Sequence, residues 1–182
     1  MLTLRSATLE DAPALWGIMS DYQHYFLDDY SVLNKQTVIS LLETGCVYCI
    51  DAFDYPVGMV WFNDQFYDLH ISIHLLIRPE FIRLFLKKNM GETIVDLGFN
   101  TYHIKKIKAF VLETQTVAIK LVLKHGFKQR AFYPRDTRKN GRYTHVRVLE
   151  LAKHDWRYFK KHPEKLFTKK HKKGEPQNGS KH

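Results

Sequence analysis

A chain of 182 residues, 45% hydrophobic and 14% aromatic, is long enough to bury the core of one domain and too apolar to stay unfolded. No apolar run approaches the ~20 residues of a membrane helix. The start Met1-Leu2-Thr3-Leu4-Arg5 lacks the apolar core of a signal peptide, so a cytoplasmic protein with no membrane partner is expected.

In chain order, Leu2, Leu4 and Ser6 alternate with Thr3 and Arg5 and predict a first strand. Thr8 and Asp11 have the spacing of a capping box, with Asp in place of Glu or Gln. Leu15, Ile18, Met19 and Tyr22 then follow at helical spacing. A second helix is predicted over Lys35 to Glu43, ended by Gly45. Strands are expected at Val47–Ala52 and 57–62, turning at Asp54-Tyr55-Pro56, and then at 69–77. Cys46 and Cys49 fall in this strand-rich run. Three residues apart on a strand they face opposite ways, which predicts buried reduced thiols rather than a metal knuckle. Pro79, Glu80 and the apolar series Ile82, Phe85, Leu86, Met90, Ile94 and Leu97 predict one long helix. A strand at 107–112, a short helix at 117–124 stopped by Gly126, and strands at 126–133 and 143–151 around Asn140-Gly141 complete the order. The fold class is α/β, with a mixed sheet and helices on both faces.

The formal charge of +9 is unevenly placed: from His154 onward nine Lys or Arg stand against three Asp or Glu, a net +6. Trp156 to Phe159 are expected to dock as a last helical turn. The stretch after Thr168 has nothing apolar to bury and reads as a disordered basic tail, with either no role or an anionic partner.

Candidate chemistry gathers on the third strand of the middle series, where His70, Ser72 and His74 share one face. A neutral imidazole suits a general base, and the plainer reading is a half-exposed polar face. Two histidines four apart on a strand stand roughly 13 Å apart, too far to share a zinc. Tyr133 and Tyr143 flank the Asn-Gly turn as candidate acids or as ordinary packing. Asp28-Asp29 either attracts a cationic amine or is solvated. Arg135, Arg138, Lys139 and Arg142 crowd the hairpin tip, where they would suit phosphate, and no motif for reading bases accompanies them.

Three segments resemble the GNAT superfamily of N-acetyltransferases. Leu4-Arg5-Ser6-Ala7-Thr8-Leu9-Glu10-Asp11-Ala12 is similar to its first strand and turn. Ile77-Arg78-Pro79-Glu80-Phe81 resembles the strand end before its pyrophosphate loop. Ala118-Ile119-Lys120-Leu121, leading to Lys124-His125-Gly126-Phe127-Lys128, is similar to its late helix and the Gly-Phe after it. The resemblance spans roughly residues 2 to 151. It implies a GNAT-like, mostly antiparallel sheet in a domain over 1–152, followed by a basic extension over 153–182. It also implies acetyl-CoA as cosubstrate and an amine-bearing small molecule or protein as acceptor.

By the same resemblance Leu75, Ile77, Ile82, Arg83, Leu84, Phe85 and Gln115 are the cofactor-binding positions. His70 or His74 would be the base, and Tyr133 a replacement acid. The chain departs from the family pattern in the loop, where Ile82 stands for Arg or Gln and Arg83 and Phe85 stand on glycines. It departs again in the late helix, where Val122 stands for the acid Tyr and Gln115 for the usual Asn. These departures imply a weakened enzyme or a non-catalytic GNAT-fold protein used in binding or assembly. Degenerate forms of that kind occur among bacteriophage virion-assembly factors.

Overall fold

The computed structural model describes residues 1–31 and 33–163, and the expected disordered tail lies outside the described residues. A first strand β1 (Leu2–Ser6) leads through a 3-10 turn (Leu9–Asp11) into helices α1 (Ala12–Phe26) and α2 (Lys35–Glu43). A meander follows: β2 (Val47–Ala52), β3 (Tyr55–Phe66) and β4 (His70–Ile77). Next come α3 (Ile82–Lys87), α4 (Met90–Thr101), β5 (Lys106–Leu112) and α5 (Thr116–Lys124). The chain closes with β6 (Lys128–Lys139), β7 (Arg142–Ala152) and α6 (Lys153–Lys161).

The seven strands form one sheet in the order β1-β2-β3-β4-β5-β7-β6. Every neighbouring pair is antiparallel except β4 with β5. Strand alternation sends Met59, Trp61 and Leu76 to one face, where they pack with Leu15, Ile18, Met19 and Val38 of α1 and α2. Phe62, Ile71, Ile107 and Leu149 point to the other face and meet Phe85, Ile94, Ile119 and Trp156. Helices thus cover both faces. The sheet sets the geometry of everything that follows.

Several expected boundaries shift for local reasons. The helix predicted to run on from Pro79 breaks in two at Asn89, which takes φ 51°. Asn tolerates that left-handed conformation. The re-phased turn lets Phe85 and Met90, five residues apart, both point inward. The first hairpin turns at Phe53-Asp54, both at positive φ, rather than at Asp54-Tyr55-Pro56. Strands β6 and β7 run to the Asn140-Gly141 turn itself, where both residues have positive φ and the tight hairpin follows. Cys49 is fully buried, its thiol pushed up to about 12 by burial, whereas Cys46 is only half-buried. The expectation of two buried thiols therefore holds for one. Finally, α6 docks along α4: Trp156 Nε1 donates to Asp96 Oδ1 at 2.8 Å and Lys160 Nζ to Asp96 Oδ2 at 2.6 Å.

Candidate active site

The parallel pair β4–β5 is joined over only three register positions, His70–Lys106, Ile71–Ile107 and Ser72–Lys108. Beyond Ser72 the strands separate. Residues 73–77 of β4 stay paired with β3, and residues 109–112 of β5 with β7. Each strand therefore has one open edge of amides and carbonyls facing the other across a cleft. An extended, amide-containing ligand satisfies such edges as an added strand would. Ile73, Leu75 and Ile77 line β4 on the α3–α5 side, half-buried against the core.

The turn beyond β4 is closed on itself. Phe81 N–H donates to Arg78 O at 3.0 Å and Ile82 N–H to Pro79 O, so two amides that a phosphate loop would present are already bonded. No residue from Arg78 to Lys88 has positive φ. Ile82 is half-buried, Leu84 packs half-buried on the core, and Phe85 is 1% exposed within it. The side chain of Phe85 is thus a core residue, so at that position only the backbone is left to face a ligand. Arg83 is exposed. At the same junction Arg78 Nε is buried without a hydrogen-bond partner, a donor able to meet an anion. Gln115 stands at the N-cap of α5, half-buried, its backbone N–H donating to Leu112 O at 2.9 Å.

Of the two strand histidines, only His74 lies beyond the last β4–β5 pair, two residues past the point where the strands part. Its ring stacks on Trp61 at 4.8 Å and 7°, and Nε2 lies 2.9 Å from Asn63 Oδ1. With that oxygen accepting, Nε2 carries the proton and Nδ1 keeps its lone pair. Burial pushes the pKa below the usual value, so the ring is neutral at pH 7. His70 lies at the closed end of the pair, stacked on Phe66 at 5.7 Å. The shared face is real, and the two rings differ in position and in stacking partner. Tyr133 sits on β6, two strands beyond β5, at 44% exposure. That placement keeps it away from the cleft. Val122 packs against the core on α5.

The acidic pair Asp28-Asp29 has another task. Asp29 accepts from Asn140 N and Gly141 N at 2.8 and 2.7 Å, and Asp28 Oδ2 from Thr137 Oγ1 at 2.5 Å. Lys139 Nζ donates to Leu27 O. The loop after α1 thus clamps the β6–β7 tip and bridges the sheet on the α1 side. An incoming amine meets no free acid there, and Lys139 is committed to the clamp.

Sequence reasoning missed a polar group on β7 beside the end of β5. His145 Nδ1 accepts from Arg135 N at 3.0 Å, and its Nε2 lies 3.8 Å from Glu113 Oε2. Glu113 in turn accepts from Arg147 at 2.5 Å. Arg135 takes φ 53° in a β-bulge to make this contact. A Pro-Arg-Asp run inside a strand was the only signal for it.

No family model matches the sequence, and no curated protein matches it. Solved structures do. Spermidine N-acetyltransferase from Vibrio cholerae, in complex with CoA and spermine, superposes at TM-score 0.74 with 17% identity, over 85% of this chain and 97% of that one. Ribosomal-protein-alanine N-acetyltransferase from Brucella melitensis gives 0.72 and 14%, over 82% and 99%. A GNAT-family acetyltransferase from Bacillus anthracis gives 0.68 and 13%, over 83% and 94%. The chain has the GNAT N-acetyltransferase fold, with the parted strands at its centre.

Proposed function

We propose that the protein is a GNAT-type N-acetyltransferase that moves acetyl from acetyl-CoA to an amine on a small molecule or protein. The parting of β4 from β5 after Ser72 carries this reading, because it leaves two unpaired backbone edges where a pantetheine arm fits. The Vibrio cholerae neighbour, solved with CoA, supports it. Residues 73–77 and 109–112 would hold the arm, while Arg78 and Arg83 would meet the diphosphate in place of loop amides. When bound, the cosubstrate supplies an activated thioester. His74 Nδ1 takes the proton from the acceptor amine, and Asn63 fixes the ring. The α5 position that carries an acid in the family is Val122, so this chain has no proton donor for the thiolate there.

A second reading, a non-catalytic GNAT-fold protein serving in binding or assembly, is favoured by Val122 and by the internally bonded amides of Phe81 and Ile82. Ligand-dependent melting separates the two. At about 100 times its dissociation constant, acetyl-CoA stabilises the folded state by about 2.7 kcal/mol. A melting temperature unchanged at millimolar acetyl-CoA rejects the enzyme. A shift without acetyl transfer to any amine tested supports a binding role.

A further inference from the structure

On the α1 side of the sheet, α1 packs on β3 and β4, and the half formed by the start of β4, β5, β7 and β6 carries the exposed Phe66, Lys106, Phe110, Arg130 and Tyr133 around the buried Ser72, Val146 and Val148. Register places them. Phe66, His70 and Lys106 form one row, and Lys108 lies opposite Glu150 in the next. Phe110 faces Val148, and Tyr133 faces Val146 one step further. Phe66 and Phe110 are 51% and 47% exposed. Bulky aromatics on an open sheet face are costly to leave in water, so their presence needs a reason.

Charge supplies one. Glu150 is held between Lys106 at 3.3 Å and Arg130 at 3.7 Å, and Lys108 has no ion pair among the described residues. Three cations against Glu150 and, beside His70, Asp64 leave this face positive. His70 stands within this mixed field: burial lowers its pKa first, Lys108 and Lys106 lower it further, and Glu150 and Asp64 act in the opposite direction. Rings spaced among cations on a sheet suit a strand of bases that stack while its phosphates meet Lys and Arg. From Phe110 to Tyr133 is two strand spacings and two residues, roughly 12 Å. Between the two rings the buried Val146 and Val148 form an apolar floor.

We infer that this face, built from Phe66, Lys106, Lys108, Phe110, Arg130 and Tyr133, binds single-stranded nucleic acid without reading its sequence. The inference does not rest on the transferase reading, because the face lies outside the cleft and needs no acetyl-CoA. It is argued without the Lys-rich segment after Thr168, whose charge would favour any polyanion alike.

The test is fluorescence anisotropy of the full-length protein with labelled oligonucleotides of one length: single-stranded DNA, single-stranded RNA and duplex DNA, across a salt series. The expected result is tighter binding of a single strand than of duplex. Phe66→Ala with Phe110→Ala should weaken single-strand binding at least tenfold and spare duplex binding. Lys108→Glu with Arg130→Glu should lower the log–log salt slope by about one to two. This second pair keeps the test open if the aromatic variant fails to fold. A full-length variant with Lys169, Lys170, Lys172 and Lys173 changed to Gln should keep the preference for single strands. The inference is overturned if duplex binds as tightly as single strand, if both face variants bind like wild type, or if only the tail variant loses affinity. It is overturned equally if an acidic peptide at the same charge concentration displaces the oligonucleotide as well as unlabelled single strand does. The DNA and RNA arms decide which nucleic acid is preferred.

Discussion

His74 differs from the other polar residues of β4 in having one ring face and one nitrogen accounted for. Trp61 fixes the plane and Asn63 fixes the tautomer, so Nδ1 is the available base. Replacing it by Gln should lower the acetylation rate by about 10²–10⁴-fold, measured with excess acceptor. A pH consequence follows from the lowered folded pKa. The unfolded chain, titrating near ~6.5, binds the proton more readily, so stability contributed by neutral His74 is present above that pH and lost as pH falls below it. His74→Gln should therefore flatten the decline in urea-unfolding free energy between pH 7.5 and pH 5. A parallel decline in both proteins would reject the assignment. Asp11 acts in a more acidic window. Arg5 and the Thr8 amide hold its pKa at about 2, so its contribution is present above ~4 and lost on acidification toward 2. Asp11→Asn should cost about 1 kcal/mol at pH 7, discounted for the half-exposed guanidinium, with no difference from wild type near pH 2.

At the scale of elements, the join between α4 and α5 depends on one absent side chain. A Cβ on Gly91 would stand 2.2 Å from His125 Nε2, whose ring is pinned by the contact of Nδ1 with Leu121 O at 2.8 Å. Helix propensity alone favours Gly91→Ala by about 1 kcal/mol. The clash should reverse the sign, costing about 1–3 kcal/mol in thermal unfolding. Combining it with His125→Ala should recover most of that loss, because the two groups meet directly. Equal losses with and without His125 would show that the contact does not set the helix approach. The same sequence position read alone, a glycine inside a helix, reports only the propensity term. The clamp from Asp28-Asp29 to the β6–β7 tip is likewise a property of two elements that meet more than 100 residues apart in the chain.

For the whole molecule, α6 completes the body of the fold instead of trailing from it. Trp156 is 3% exposed and bonded to Asp96, so Trp156→Ala should cost about 3–5 kcal/mol by chemical denaturation, and Trp156→Phe about 1 kcal/mol. If Trp156→Ala unfolds like wild type, α6 is not part of the cooperative unit. The sequence by itself determined the fold class, the order of strands and helices and the Asn140-Gly141 hairpin. Periodicity, caps and turn residues act over a few positions, so they are legible one segment at a time. It also marked Val122, and it placed His70 and His74 on one face. Only tertiary structure decided that β4 and β5 part after Ser72, that His74 and not His70 lies past that point, and that Phe85 is core. It alone showed Asp28 and Asp29 spent on the hairpin clamp, and Phe66, Phe110 and Lys108 collected on one open face. Each of these depends on strand register and sheet order, which are fixed by packing between segments far apart in the chain and leave no local trace in any one of them.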